Sequence, residues 1–273
     1  MNFFVLIILA IVQAVTEFLP VSSSGHLVLA YKLFGIEDGT ILLSIVLHLA
    51  TLLSVIIYYR KELLQLVLHP FCPTNRKLLV STLATCVVAL ILRPIIKNSF
   101  SVDYIYFFFI ITAILLFTSD YLAERQYFMA RTKPFVSQSL KMSDTTNITN
   151  MHISYKQALI IGLTQGVACI PGISRSGSTI AVGKMCGVND SARYSFILSI
   201  PIIIASFVME LWETGGAGLS INAPTIIAFV LCFALGLACI KLMTKVTTSN
   251  NLTYFAYYLI ALSTFLIISA FFI

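Results

Sequence analysis

The sequence predicts an all-α integral membrane protein with an inverted-topology repeat, six transmembrane helices and two re-entrant helix–loop–helix hairpins. Three observations support this fold class. Of the 273 residues, 59% are apolar and only 10% are charged, against about 25% charged in a typical soluble domain. The apolar residues form runs of about 20, which is typical of membrane-spanning helices and not of barrel strands. Two interrupted apolar segments also resemble each other across the middle of the chain.

The first predicted element is an apolar segment, residues 3–34, which the sequence PVSSSGH interrupts at 20–26. Pro, Gly and clustered Ser stop a helix, and polar groups at membrane depth are tolerated only where protein or water surrounds them. The segment is therefore predicted to enter the membrane, break and return to the same side. A second segment, residues 155–186, is interrupted by PGISRSGST at 171–179 and is predicted to form a second hairpin.

Six uninterrupted apolar runs are predicted to span the membrane, because each can cross about 30 Å of hydrocarbon at about 1.5 Å per residue. Their predicted bounds are Thr40–Tyr59, Leu78–Ile96, Tyr104–Leu122, Tyr194–Trp212, Pro224–Met243 and Thr253–Phe272. The polar stretch from Ala123 to Tyr155 is predicted to be a loop. The chain is thus interpreted as one membrane domain, with repeat 1 at about 1–122, a polar loop at 123–154 and repeat 2 at about 155–273.

A shift of 152 residues aligns the two hairpins, and nine of the 31 positions from 8 to 38 are then identical. Chance would give about two or three at this composition. Three full spans follow each hairpin, and three is an odd number, so the second repeat must enter the membrane from the opposite side. Broken helices in such inverted repeats meet near the midplane. The two polar breaks are therefore expected to face each other.

The distribution of Lys and Arg predicts the orientation. Twelve of them fall on one side and three on the other, when Arg175 and Lys184 of the second hairpin are left out. The basic side is assigned to the cytoplasm, so both termini are predicted outside and the first hairpin enters from the outer face. The net charge of +6 is explained by basic loops near anionic lipid rather than by nucleic acid.

The first break carries residues that could perform chemistry. Glu17 lies four residues after Gln13, so the two share a helix face. A carboxylate in an apolar helix is expensive unless it is paired or binds a cation, which suggests a hard-metal ligand or an acid/base group. A packing carboxyl bonded to the other hairpin is the alternative. His26 follows Ser23 by three residues and could be its base, or both could belong to a Ser-rich helix cap.

The second break is interpreted as a phosphate site. Arg175 can bind two phosphate oxygens with its guanidinium, and the adjacent helix N-terminus favours an anion. A buried Arg without an anion is costly. A structural ion pair between Arg175 and Glu17 is the alternative. His48, inside a full span, is predicted to bond across helices for structural reasons. Glu, Ser and His from one repeat and Arg and Ser from the other would form a phosphoryl-transfer site.

These residues resemble a known family. QAVTEFLPVSSSGH (13–26) and PGISRSGST (171–179) resemble the two signature motifs of the undecaprenyl-diphosphate phosphatase (bacitracin-resistance) family, over essentially the whole chain. The resemblance implies a multi-pass hydrolase of the bacterial plasma membrane. Because the hairpin with Glu17 and Ser23 is predicted to enter from the outer face, the active site is expected to open to that face. It would convert undecaprenyl diphosphate to undecaprenyl phosphate and phosphate, recycle the lipid carrier for peptidoglycan synthesis and confer bacitracin resistance. The expected partners are the polyprenyl diphosphate lipid and the bilayer. No nucleic acid is expected, and a homodimer is compatible with the resemblance.

The resemblance also implies roles for individual residues. Ser23 matches the proposed nucleophile and His26 the proposed base, although some schemes make His26 the nucleophile. Glu17 and Gln13 match the positions assigned to a divalent cation, Mg²⁺ or Ca²⁺, and Glu17 is also counted among the catalytic residues. The expected phosphate-binding residues are Arg175, Ser174, Ser176, Thr179 and Ser24. Many family members have Glu at position 13, where this chain has Gln, so this chain would hold the metal with fewer charges or through water. Many also have Thr at position 24, where this chain has Ser, a change that keeps the hydroxyl group.

Two other functions are compatible with parts of the pattern. Inverted repeats with broken helices are typical of secondary transporters, so a transporter or flippase of a polyprenyl phosphate lipid is the alternative function. Transport requires binding groups but no Ser–His pair. An intramembrane serine protease would use Ser and His but would leave Arg175 without a role, and it ranks last.

Overall fold

The computed structural model describes residues 2–36, 40–98, 102–131, 148–214, 222–248 and 251–272. Within these ranges the chain is helical and contains no strand. One short 3₁₀ turn, Ile148–Asn150, precedes α7. The helices are α1 (Phe3–Phe18), α2 (Ser23–Leu33), α3 (Thr40–Tyr58), α4 (Arg60–Leu68), α5 (Pro73–Asn98), α6 (Val102–Arg131), α7 (Tyr155–Val167), α8 (Arg175–Met185), α9 (Ser191–Thr214), α10 (Ala223–Thr248) and α11 (Thr253–Phe272).

Five of the described helices, namely α5, α6, α9, α10 and α11, are long and apolar enough to cross a membrane. Helices α3 and α4 together form a sixth candidate span that bends by 74° at their junction. The prediction of an all-α integral membrane protein is therefore confirmed. Helix α4 is an element that the apolar runs did not indicate, because its mixed sequence RKELLQLVL lacks a continuous apolar stretch.

Several predicted boundaries are wrong. Helix α6 continues to Arg131, nine residues beyond the predicted end at Leu122, because the following Ala, Glu and Arg are good helix formers. Helix α5 begins at Pro73 rather than at Leu78, and Pro is favoured in a first helical turn. Positions 132–147 of the predicted polar loop lie outside the described residues.

The two hairpins are helix–break–helix units, and their breaks are shorter than predicted. The first break spans only 19–22, so Ser23 already begins α2, and the second spans 168–174, so Arg175 begins α8. The residue before each helix is a serine whose hydroxyl caps it: Ser22 accepts a hydrogen bond from the N–H of Gly25, and Ser174 accepts one from that of Gly177. These caps satisfy amide groups that a helix N-terminus leaves unpaired.

The packing of the helices repeats between the two halves of the chain. Helices α2 and α8 each have 11 residues and begin 152 residues apart. Helix α1 packs on α10, and its counterpart α7 packs on α5, the counterpart of α10. Helices α3 and α9 pack on each other, as do α6 and α11. A pseudo-twofold axis would generate this exchange of partners.

Close contact between α5 and α7 depends on small residues. A Cβ atom at Gly162 of α7 would lie 2.6 Å from the Cα atom of Ser81 on α5, so only glycine fits there. Hydroxyl groups bond across the same contact, since Ser81 donates to the carbonyl of Ala158 at 2.6 Å and Thr85 to that of Gly162 at 2.9 Å. Small residues and interhelical hydrogen bonds are what hold helices together where lipid supplies no hydrophobic driving force.

Candidate active site

The two breaks contact each other in the interior of the protein. Ser176, in the first turn of α8, donates its hydroxyl to the carbonyl oxygens of Glu17 at 3.1 Å and Leu19 at 3.3 Å. A Cβ atom at Gly177 would lie 2.9 Å from the Cβ atom of Pro20. The second repeat thereby binds carbonyl groups at the end of α1, where the helix no longer supplies its own partners. The breaks face each other, as the sequence repeat led us to expect.

The Glu17 side chain is the centre of the polar cluster at this contact. It is only 3% exposed. Its Oε2 atom accepts hydrogen bonds from Ser23 Oγ at 2.6 Å and from Gln13 Nε2 at 3.0 Å. Its Oε1 atom forms an ion pair with Nη2 of Arg175. The ion pair that was the alternative interpretation is thus present, and one carboxylate joins the catalytic candidates of both repeats.

His48 of α3 is a further member of this cluster that sequence reasoning did not assign to the site. Its Nδ1 atom lies 2.7 Å from the carbonyl oxygen of Ser44 on its own helix, and the predicted contact across helices is made by its other ring nitrogen. A carbonyl oxygen only accepts hydrogen bonds, so Nδ1 carries the proton. The other ring nitrogen, Nε2, lies 3.6 Å from Oε2 of Glu17. His48 lies in a full apolar span outside both breaks, so its position in the sequence did not indicate that it would lie near Glu17.

His26 does not form the hydrogen bond with Ser23 that the sequence suggested. Its Nδ1 atom lies 2.7 Å from the carbonyl oxygen of Ser22, and its Nε2 atom lies 2.8 Å from the hydroxyl of Tyr258 on α11. Ser23 donates instead to Glu17. Both residues lie in the first turn of α2, where the histidine bonds back to the cap residue. Tyr258 was missed because the sequence gives no reason to select it among 12 tyrosines.

The hydroxyl groups expected to bind phosphate are engaged with protein groups. Ser174 caps α8 and donates its own N–H to Oγ1 of Thr112 at 3.1 Å. Thr179 donates to the carbonyl of Arg175 at 2.8 Å and also hydrogen-bonds to the hydroxyl of Ser195. Together with the Ser176 bonds, these contacts hold the first turn of α8 in place. The roles of these residues toward phosphate stay predictions.

The cap before α2 differs from the one before α8. Ser22 has a φ angle of 71°, in the left-handed region that is unfavourable for residues other than glycine, whereas Ser174 has a φ angle of −74°. Ser24, a predicted phosphate ligand, places its hydroxyl 3.4 Å from that of Ser22. Strained backbone of this kind often accompanies functional sites, and here it directly precedes Ser23.

A cavity adjoins the Glu17–Arg175 ion pair. Besides these two residues it is lined by polar side chains of α3, α8 and α9 and by apolar walls. Its lining residues are Glu17, Phe18, Thr51, Val55, Arg175, Ser176, Ser195, Phe196, Ser199 and Ile203. The enclosed space has room for about one water molecule. Thr51, Ser195 and Ser199 belong to neither sequence motif, so the sequence did not indicate that they line this cavity.

The side-chain oxygen atoms near Glu17 are too few to hold a hard divalent cation by themselves, so further ligands would have to come from bound substrate or water. Within the described residues, no group of three or more His, Cys, Asp or Glu side chains could hold a metal ion. However, Oε1 of Gln13 is buried without a hydrogen-bond partner, beside the Glu17 carboxylate. Mg²⁺ is commonly held by one or two carboxylates together with substrate phosphates. Glu17 and Gln13 therefore fit a cation whose remaining ligands are substrate oxygens and water.

Known proteins are similar to this chain along nearly its whole length. A family model described as "Bacitracin resistance protein BacA" matches residues 6–265. An undecaprenyl-diphosphatase of Carboxydothermus hydrogenoformans is 34% identical over 266 residues, covering 94% of both chains. That of Thermosipho africanus is also 34% identical, covering 94% of this chain and 96% of the relative, and that of Halothermothrix orenii is 35% identical, covering 94% of both. The chain therefore belongs to the BacA family of bacitracin resistance proteins.

Proposed function

We propose that this membrane protein hydrolyses undecaprenyl diphosphate to undecaprenyl phosphate and inorganic phosphate. Membership of the BacA family and relatives named undecaprenyl-diphosphatase support this reaction. The observation that carries the proposal is the hydrogen-bonded cluster of Ser23, Glu17 and Arg175. A hydroxyl and a guanidinium that both bond to one carboxylate are groups that phosphoryl transfer to a serine would use. The reaction would recycle the carrier lipid for peptidoglycan synthesis and confer bacitracin resistance.

In the proposed mechanism, Arg175 binds oxygen atoms of the diphosphate and stabilises the charge that develops on them. The Ser23 hydroxyl attacks the terminal phosphorus, and its proton passes to Glu17, which accepts it at 2.6 Å. As the new Oγ–P bond forms, the bond from phosphorus to the bridging oxygen breaks and undecaprenyl phosphate leaves. Water then attacks the phosphorus of the phosphoserine and the Oγ–P bond breaks. Glu17 gives its proton back to Oγ of Ser23, and the proton that the attacking water loses passes to the solvent as phosphate leaves.

His26 has a separate place in this scheme, because it contacts Ser22 and Tyr258 rather than Ser23. In this arrangement it does not take the proton of Ser23 directly. A route in which His26 activates water for direct attack on the diphosphate is the competing mechanism. Ser23→Ala separates the two, because turnover close to that of the wild type would exclude Ser23 as nucleophile.

A divalent cation, Mg²⁺ or Ca²⁺, is part of the proposal, with Glu17 and Gln13 as its protein ligands. When bound, it would neutralise charge on the diphosphate and on the leaving phosphate. The unpaired Oε1 atom of Gln13 supports this assignment. Phosphate release in the presence of EDTA tests it, since activity that persists in the chelator would remove the metal role of both residues.

We further propose that the enzyme lies in the bacterial plasma membrane with both termini outside. The excess of Lys and Arg on one side supports this orientation. The lipid tail would remain in the bilayer against the apolar helices, and the diphosphate would reach the site from the outer face. Nucleic acid has no part in the reaction. A homodimer is compatible with the proposal, although the residues of the site all come from one chain.

Phosphate release by the purified protein in detergent tests the proposed function directly. We expect wild-type protein to release phosphate from undecaprenyl diphosphate, and Arg175→Ala to lose at least about 100-fold of this activity, as when a main charge-stabilising donor is removed. Arg193→Ala is the matched control, since Arg193 pairs with Asp190 outside the site. Lipid movement across vesicles without phosphate release would instead favour a flippase.

A further inference from the structure

Tyr258 is a residue of the second repeat that the proposed mechanism has not used. It lies on α11, 232 positions from His26, and its hydroxyl is 2.8 Å from Nε2 of His26. The two rings are nearly parallel, with an interplanar angle of 14° and centroids 5.7 Å apart. Phe109 of α6 also packs against the histidine, with centroids 5.2 Å apart. The His26 ring is therefore contacted by groups from two other helices, α6 and α11.

The hydrogen bonds of His26 define which nitrogen carries its proton. The carbonyl oxygen of Ser22, 2.7 Å from Nδ1, can only accept, so Nδ1 carries hydrogen. In a neutral imidazole the other nitrogen then has the free electron pair. The Tyr258 hydroxyl must therefore donate to Nε2. Ser22 and Tyr258 together select one tautomer and fix the plane of the ring.

This arrangement suits a histidine that exchanges protons during a reaction. A base needs an unprotonated nitrogen at a defined position, and the tautomer held here provides it at Nε2. Nε2 takes up a proton through the phenol: Tyr258 gives its hydroxyl hydrogen to Nε2, and the phenol oxygen takes one from the proton donor. The new N–H then donates to that oxygen, which both donates and accepts, so His26 stays bonded in both states without movement of either ring.

We propose that Tyr258 is a positioning residue for His26, holding it in the tautomer and orientation that the phosphatase reaction requires. The proposal rests on the proposed function, since it concerns the same site. It gives α11 a part in the chemistry, although none of the motif residues lies on that helix. The second repeat would then supply both Arg175 for the phosphate and Tyr258 for the histidine.

Tyr258→Phe tests the proposal because it removes the hydroxyl and keeps the stacked ring. We expect kcat to fall about tenfold, the factor that corresponds to the loss of one hydrogen bond of about 1.4 kcal/mol, with KM within about twofold of the wild-type value. Tyr257→Phe is the matched control. Tyr257 is the adjacent tyrosine, its ring packs edge-on against Phe117, and its replacement should leave both constants unchanged.

A second measurement, independent of substrate, examines His26 itself. In protein with ¹⁵N-labelled histidine, NMR should show the Nδ1–H tautomer, and Tyr258→Phe should shift the Nε2 resonance of His26, whereas Tyr257→Phe should not. In His26→Gln protein, Tyr258→Phe should cause no further loss of residual activity or of thermal stability. These results would separate positioning of His26 from a general contribution to folding.

The proposal requires both the kinetic and the spectroscopic change. An unchanged kcat in Tyr258→Phe, or an unchanged Nε2 resonance, would overturn it. A wild-type protein that releases no phosphate would contradict the proposed function instead, and the NMR comparison would still report whether Tyr258 holds His26. The two failures are therefore distinguishable.

Discussion

The carboxylate of Glu17 and the guanidinium of Arg175 form an ion pair that joins the two repeats at their polar breaks. The acidic side chain is 3% exposed and the basic one 22% exposed. Removing one partner of a buried pair leaves the other charge without compensation, which is more damaging than removing both. The pair therefore makes the stability of the protein and its proposed chemistry depend on the same contact.

The first prediction separates these two contributions. Arg175→Ala should destabilise the folded protein by about 3–5 kcal/mol, because Glu17 stays buried without its partner. Adding Glu17→Gln should recover most of this loss, since the neutral amide needs no counter-ion, but it should not recover phosphate release. Thermal unfolding in detergent and the phosphate assay measure the two effects. A double variant no more stable than Arg175→Ala would contradict the prediction.

The second prediction concerns coupling between cation and diphosphate. Glu17 is shared, because it binds Arg175 and is also the proposed metal ligand. A cation at Glu17 should weaken the ion pair and free Arg175 for phosphate, so each ligand should strengthen binding of the other by the same factor. We expect methylene diphosphonate to bind at least about fivefold more tightly with Mg²⁺ than with EDTA, the lower end of typical coupling between sites. Calorimetry measures both affinities.

Arg175→Ala is the control for this coupling. Without Arg175 there is no ion pair to release, so the remaining effect of Mg²⁺ on diphosphonate affinity should be smaller than in the wild type. Equal enhancement in the two proteins would mean that the cation acts on the ligand alone and that Glu17 does not connect the two sites.

The third prediction compares two lysines at equivalent positions of the repeats. Lys184 of α8 donates to Asp120 at 3.0 Å, with 8% and 5% of their side chains exposed. Asp120 also accepts from the N–H and hydroxyl of Thr253. Lys184→Met should destabilise the protein by about 3–5 kcal/mol, because a buried carboxylate loses its counter-charge. Lys32, the counterpart on α2, is exposed, so Lys32→Met should change stability by less than about 0.5 kcal/mol.

Thermal unfolding of Lys184→Met and Lys32→Met measures how much each lysine contributes to the stability of the folded protein. Similar losses for both would show that the contribution of Lys184 does not come from its contact with Asp120. Asp120→Asn together with Lys184→Met should be more stable than Lys184→Met alone, because the buried charge is then gone.

The fourth prediction tests the close contact of α5 with α7. Gly162→Ala should lower the free energy of unfolding by about 1–3 kcal/mol, the usual effect of overpacking, because the added methyl would lie 2.6 Å from the Cα atom of Ser81. Leu163→Ala is the adjacent control, since Leu163 is 42% exposed on the outer surface of the helix. A larger loss for Leu163→Ala than for Gly162→Ala would be inconsistent with the packing described here.

The sequence predicted the parts of the site that depend on local pattern. Clustered Ser, Gly and Pro predicted the positions of both breaks. The repeat revealed by the 152-residue shift predicted that the breaks, and with them Glu17 and Arg175, lie close together. The sequence did not predict the contacts of His26 and His48, because these depend on how α11 and α3 pack against the first hairpin, nor that Ser23 would bond to Glu17 across the break. Tyr258 is 232 positions from the histidine that it contacts, and no periodicity marks such a contact.

Helix ends were the other source of error, for a local physical reason. Hydropathy shows where a run of apolar residues ends. A helix can continue beyond that point as long as the following residues favour helical backbone hydrogen bonding. Helix α6 therefore extends past Leu122 to Arg131, into polar residues that still favour helix. The same occurred in the breaks, where the caps at Ser22 and Ser174 let α2 and α8 begin inside the polar motifs.

The 152-residue correspondence between the repeats has an evolutionary consequence. The proposed catalytic residues do not recur at equivalent positions: Glu17 corresponds to Cys169, Ser23 corresponds to Arg175, and His26 to Ser178. Two identical copies in opposite orientations would have carried the same side chains on both sides of the contact. Fusion into one chain allows each copy to diverge, so that in the proposed mechanism one half would supply the carboxylate and the nucleophile and the other would bind the anion.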